Sequence, residues 1–104
     1  MLNPLHLRTL ETVLRTGSFA NAARSQGYSG SAVSQQISAL ERQVRAPLFE
    51  RDAHGGRPTP LARFIVGRAR ETLGRLQSLE DDIALLLGGA AGGVRLGSFP
   101  TASE

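Results

Sequence analysis

Cysteine, tryptophan and lysine are missing from this sequence altogether, and its aromatic residues are one tyrosine and four phenylalanines. Without cysteine there is neither a disulfide framework nor a thiolate metal site, which sets aside zinc fingers and thiol redox enzymes together and leaves the redox compartment open. The two histidines, His6 and His54, have no companions at metal-ligand or catalytic spacing, so no metal, no cofactor and no histidine chemistry is expected. No Ser, His and acid grouping and no paired carboxylates suggest a hydrolase. The sequence is read as that of a protein without enzymatic activity. No apolar run approaches the roughly 20 residues of a membrane span, so no membrane partner is expected. The opening MLNPLHLRTLE holds an acid and no cleavage-site pattern, so no signal peptide is expected either, and the default location is the cytoplasm.

The 104 residues suffice for one domain of ordinary size, or for a smaller domain plus one long extension. Hydrophobic residues at 40% and charged residues at 20% fit a globular chain with a real core. The net charge of +3 is unevenly spread: residues 1–70 carry ten arginines against Glu11, Glu41, Glu50 and Asp52, whereas 71–104 carry two against five acids. The first part attracts polyanions and the second does not. That every cation is arginine suits phosphate and guanine edges, and follows equally from a GC-rich genome.

Four helices are legible. Asn3-Pro4 is a side-chain cap followed by a proline at the first helical position, and Leu7, Leu10, Val13 and Leu14 recur at helical spacing until Gly17. Ser18 caps a short second helix carrying Phe19, Ala22 and Ala23, which ends near Gly27. A third helix starts around Ser29 to Ser31 and runs to about Arg45, with Val33, Ile37, Leu40 and Val44 on one arc. Its opposite side reads Ser31, Gln35, Ser38, Arg42 and Arg45, flanked by Ser34, with no acid at its centre. Pro47 stops this helix, Leu48 and Phe49 are expected to fold back on the core, and His54-Gly55-Gly56 is a turn signal for a small two-stranded wing.

Thr59-Pro60 repeats the cap-then-proline start, and the helical pattern continues to about Leu87. Steps of three and four pick out Ala62, Ile65, Ala69, Thr72, Leu76, Leu79, Ile83 and Leu86, a coiled-coil seam interrupted at Thr72. A second copy of the same helix is the expected cover, with Ile65, Ala69, Leu76, Leu79, Ile83 and Leu86 as dimerisation residues. Gly67 and Gly74 cost about 1 kcal/mol each in a helix interior. Beyond Leu87, residues 88–93 read as a flexible linker and Val94 to Phe99 alternates like a first strand. The expected domains are 1–58, 59–87 as a linker helix, and 88–104 as a hinge with the start of a further domain.

Four segments carry a resemblance: GSFANAA at 17–23, SAVSQQISALE at 31–41, LFER at 48–51 and TP at 59–60. In order and spacing, Leu7 to Arg70 resembles the N-terminal domain of bacterial LysR-type transcriptional regulators, about two thirds of the chain. The resemblance implies a mainly α fold, a winged helix-turn-helix followed by a long dimerising helix. It implies sequence-specific binding of double-stranded DNA at an inverted-repeat promoter site, as a homodimer, with a tetramer open for a full-length protein. A small-molecule effector would act only through a C-terminal domain that begins near Val94.

By the same resemblance the third helix lies in the major groove. The residues themselves agree: Ser31, Ser34 and Gln35 stand near a helix N-terminus, and glutamine bridges adenine N6 and N7. Arg42, Arg51 and Arg57 suit phosphates, and Ser18 meets backbone by analogy with the family. Ser29, Ser38 and Thr59 complete the expected DNA-binding set. Three positions depart from the family pattern. Gln26 replaces an apolar residue, which predicts a looser second helix; Gly30 replaces a polar one, which puts more weight on Ser31, Ser34 and Gln35; Ala62 replaces a common glycine without consequence. The alternative is a protein-interaction adaptor built on the same helices, but an adaptor has no need of a cation-bearing face free of acids.

Overall fold

A computed structural model describes residues 1–50 and 56–88. Arg51, His54, Gly55 and the expected strand from Val94 to Phe99 lie outside the described residues. The element order is α1 (Pro4–Thr16), α2 (Phe19–Gln26), α3 (Gly30–Val44), β1 (Phe49–Glu50), β2 (Arg57–Pro58) and α4 (Pro60–Leu86). The chain forms two compact units, Met1–Glu71 and Thr72–Glu104, with α4 running through both. The architecture is mainly α: α2 and α3 make the helix-turn-helix, and β1 and β2 make its wing.

Each helix of the first unit starts and stops for a local reason. Asn3 accepts a hydrogen bond from the Leu5 amide, and Pro4 then supplies a preset φ. Ser18 and Ser29 do the same for α2 and α3, accepting from Asn21 N and Ala32 N. Gly17 and Gly27 end α1 and α2 in the left-handed conformation, at φ 93° and 74°. At the end of α3 that conformation falls on Arg45, at φ 62°, the one positive-φ residue other than glycine among the described residues.

The core of the first unit joins Leu7, Leu10 and Val13 of α1, Ala22 and Ala23 of α2, and Val33, Ile37 and Leu40 of α3. Alanine at 22 and 23 keeps α2 close to its neighbours, because a larger side chain there would hold the helices apart. Leu48 is fully buried beyond the end of α3, and Phe49 packs edge-on against Phe19 with ring centroids 5.1 Å apart. Buried side-chain polar atoms without a partner, among the described residues, are His6 Nδ1 and Gln26 Oε1. Gln26 thus spends part of the energy an apolar residue would contribute to α2, an unmet buried acceptor costing about 1–3 kcal/mol.

The wing pairs antiparallel, Phe49 opposite Pro58 and Glu50 opposite Arg57. Gly56 enters β2 at φ 110°, and a Cβ there would meet Glu50 O at 3.0 Å, so both the backbone and the space demand glycine. A chain of bonds ties the wing to the helices on either side. Glu41 accepts from the Leu48 amide at 2.7 Å. Leu48 O accepts from the Thr59 amide at 3.0 Å. The Thr59 hydroxyl donates to Pro47 O at 3.1 Å and accepts from Ala62 N at 3.2 Å, capping α4.

Within the first unit α4 buries Ala62, Val66 and Ala69, a stripe at steps of four and three, and Arg70 reaches the Glu11 carboxylate of α1 at 3.6 Å. In the second unit the helix carries Leu79, Ile83 and Leu86 at 53%, 45% and 44% exposure. Gly67 and Gly74 remain helical, with nothing within 4 Å of where a Cβ would stand.

Two stability predictions follow from the helix ends. A left-handed arginine is strained where glycine is not, so Arg45→Gly raises stability by about 1 kcal/mol, offset in part by the greater entropy of the unfolded glycine chain. Ser29→Ala removes a cap and lowers stability by about 1 kcal/mol, whereas Ser31→Ala changes it by less than about 0.5 kcal/mol. Urea or thermal denaturation of the three variants against the parent checks both.

Candidate nucleic-acid interface

The exposed side of α3 is built by one periodicity. Val33, Ile37 and Leu40 turn inward, and the positions half a turn away, Ser31, Gln35, Ser38 and Arg42, are all exposed, as is Ser34 beside them. The four lie within an arc of about 60°, since steps of four, three and four residues return to nearly the same side of a helix. The face opens on hydroxyl and amide groups near the helix N-terminus and closes on a guanidinium at Arg42. Short groups that both donate and accept are suited to base edges, and the long cation to phosphate.

Acids are kept to the margin of this face. Glu41 is half-buried and bound to the Leu48 amide. Glu50 stands on the wing directly opposite the exposed Arg57. A cleft of about 240 Å³ separates α3 from β1, with Ser34 and Ser38 on one side and Phe49 and Glu50 on the other. A second cleft, of about 250 Å³, brings Ser18 and Gly17 beside Gly56 and Pro58 of the wing. The start of α2, the outer face of α3 and the wing therefore border one another through these clefts.

The expected DNA-binding residues do not all have the same freedom. Ser31, Ser34, Gln35, Ser38, Arg42 and Arg57 are exposed. Ser18 and Ser29 sit at the edge of this surface with their hydroxyls engaged as helix caps, and Ser29 also shares a hydrogen bond of 3.2 Å with Ser31. Thr59 is different: it is 9% exposed, its hydroxyl both donates and accepts within the chain, and its place is structural. Arg51 lies outside the described residues.

Along the expected seam, Ala62 and Ala69 are buried within the first unit and Ile65 is half-buried. Leu76 is half-buried, and Leu79, Ile83 and Leu86 are exposed. A seam read from periodicity alone runs together residues covered by their own unit and residues that are not, because a step of three or four describes a helix face and not its cover.

Sequence reasoning overlooked a pair beneath the face. The Thr9 hydroxyl of α1, fully buried, donates to Gln36 Oε1 of α3. The available signal was a threonine placed among the apolar positions of α1, where a hydroxyl needs a partner. No group of three or more metal-ligating side chains occurs among the described residues, and no described helix is long and apolar enough to cross a membrane.

Residues 5–63 match the family model described as bacterial regulatory helix-turn-helix protein, lysR family. The small neutral protease regulatory protein of Streptomyces coelicolor is 37% identical over 93 residues, covering 89% of this chain and 28% of that protein. The HTH-type transcriptional regulator CbbR of Sinorhizobium medicae is 38% identical over 95 residues, covering 91% of this chain and 30% of that protein. The chain thus spans about three tenths of the length of these relatives.

Among solved structures, the BenM DNA-binding domain in complex with catB site 1 DNA superposes with a TM-score of 0.75 at 25% identity, over 85% of this chain and 98% of that one. Full-length LysG of Corynebacterium glutamicum, a LysR-type regulator, gives 0.71 at 30% identity, over 85% of this chain and 30% of that one. With the family model matching more than half of its residues and the three-helix-plus-wing fold in agreement, the chain belongs to the LysR family of bacterial regulatory helix-turn-helix proteins.

Proposed function

We propose that this chain binds double-stranded DNA sequence-specifically as the DNA-binding part of a transcriptional regulator, and acts without enzymatic chemistry. The observation that carries the reading is the outer face of α3: exposed serines and Gln35 leading to Arg42, on a helix whose other side is held in the core. The likeness to a DNA-binding domain in complex with DNA supports it over the adaptor alternative. A bacterial regulator works where the chromosome is, so the protein is assigned to the cytoplasm.

The N-terminal part of α3 enters the major groove, with Ser31, Ser34, Gln35 and Ser38 toward base edges. Gln35 supplies the bidentate contact to adenine, and the hydroxyls accept either partner. Arg42, Arg51 and Arg57 hold phosphates, and Ser18 and Ser29 offer backbone-facing polar edges between capping bonds. Thr59 serves the interface by fixing where the wing ends.

The protein acts as a homodimer joined along α4, which sets two recognition helices on an inverted repeat. Leu76, Leu79, Ile83 and Leu86 make the principal seam, with Ile65 beside it; Ala69 is already covered within its unit and adds little. The four leucine and isoleucine side chains fall within an arc of about 80°, the stripe that a second helix covers. In a full-length regulator, further pairing to a tetramer and any effector response belong to a C-terminal effector-binding domain, whose start is read near Val94.

Two outcomes test this reading. With duplexes selected from a random pool by the parent chain, Gln35→Ala loses on the order of 1–3 kcal/mol on the selected site and little on random DNA, while Arg57→Ala weakens both alike and flattens the salt dependence by about one phosphate. Equal losses on both duplexes for both variants would contradict the assignment. Ile83→Arg places a charge in the seam and converts the dimer to monomer at tens of micromolar, as read by sedimentation; a parent that is already monomeric there overturns the α4 dimer.

A further inference from the structure

We infer that the hydrogen bond from Thr9 to Gln36 fixes the rotational setting of α3, which makes both residues positioning residues for base discrimination. The inference rests on the DNA-binding reading and adds to it two side chains that meet no DNA.

Val33, Ile37 and Leu40 bury an aliphatic arc, and the contacts they make are non-directional. The directional ties of α3 sit elsewhere: the Ser29 cap at its start, the Glu41 bond to Leu48, and Gln43 Nε2 donating to Met1 O at 2.8 Å. Between Ser29 and Glu41 lies the segment that presents Ser31, Ser34, Gln35 and Ser38. Across that segment, α3 is joined to another helix by the bond from Thr9 to Gln36, residues 27 apart in sequence.

Geometry gives this bond its consequence. Gln36 follows Gln35 directly, so whatever anchors the inner edge of one sets the direction of the other. A helix with its side chains has a radius of about 6 Å, and a turn of 15° about its axis carries a side-chain tip roughly 1.6 Å sideways. Productive contacts are held to about 0.5 Å. Aliphatic packing alone tolerates the larger movement, and this bond does not, because breaking it leaves the fully buried Thr9 hydroxyl without its Gln36 partner. Thr9 has no access to water that would replace its partner.

The pair is tested with the full 104-residue chain, by comparing affinity for the parent-selected duplex with affinity for a random duplex, alongside thermal stability. Thr9→Val keeps the shape and removes the hydroxyl; it is expected to cut the ratio of the two affinities roughly tenfold with random-duplex affinity unchanged. Thr9→Ser keeps the hydroxyl and keeps the ratio. The double variant Thr9→Val, Gln36→Met replaces both polar groups and recovers stability, since an apolar pair leaves nothing unmet, yet its discrimination stays low.

An unchanged ratio in Thr9→Val, or a ratio that recovers in step with stability in the double variant, overturns the positioning role and leaves DNA binding intact. A parent chain that binds no duplex overturns the DNA-binding reading and this inference with it.

Discussion

The two-sidedness of α3 is the constraint on which the rest of the first unit depends. Val33, Ile37 and Leu40 must face Leu7, Leu10 and Val13 of α1 and the alanines of α2, because these side chains have no other place to escape water. Once they do, the 3.6-residue period obliges Ser31, Gln35, Ser38 and Arg42 to stand outside. The surface proposed to read DNA is the complement of the core, and neither is adjustable without the other. This is why the bland composition of the face, two serines, a glutamine and an arginine, carries information: the core leaves those positions exposed, and the sequence fills them without a single acid.

A second set of interactions settles where the wing stands. Glu41 leaves the exposed face to bind the Leu48 amide, Leu48 O holds the Thr59 amide, and Thr59 caps α4. One carboxylate and one hydroxyl thereby connect the end of α3, the residues flanking both strands of the wing and the start of α4. The half-buried Glu41 is in this way held at the Leu48 amide, and Thr59 is drawn into the interior. Residues of a motif that look alike in sequence, polar and within ten to twenty positions of one another, thus divide into those that face outward and those that hold the frame.

The fourth helix shows the same division on a larger scale. Its apolar pattern runs from Ala62 to Leu86 with one polar interruption at Thr72, but Ala62, Val66 and Ala69 are buried within the first unit, whereas Leu79, Ile83 and Leu86 are exposed in the second. The small residues come first, where α4 lies close to the rest of its unit, and the large ones follow. That order fits a helix that first serves its own domain and then meets a partner.

Much of the fold was legible in sequence because its signals are local: Asn3-Pro4, Ser18, Ser29 and Thr59-Pro60 start helices, Gly17 and Gly27 stop them, and helical periodicity assigns each its inner side. Each of these depends on neighbours within about four residues, so no knowledge of the rest of the chain is needed. The outer face of α3 belongs to the same class, since a face is defined once the opposite face is known. What the tertiary structure decided was partnership across distance. The bond between Thr9 and Gln36, the service of Glu41 to Leu48, the burial of Thr59 and the early covering of Ala62 and Ala69 all join residues that periodicity treats as independent. A spacing states which way a side chain points along its own helix, and only the packing of one element on another states what it meets there.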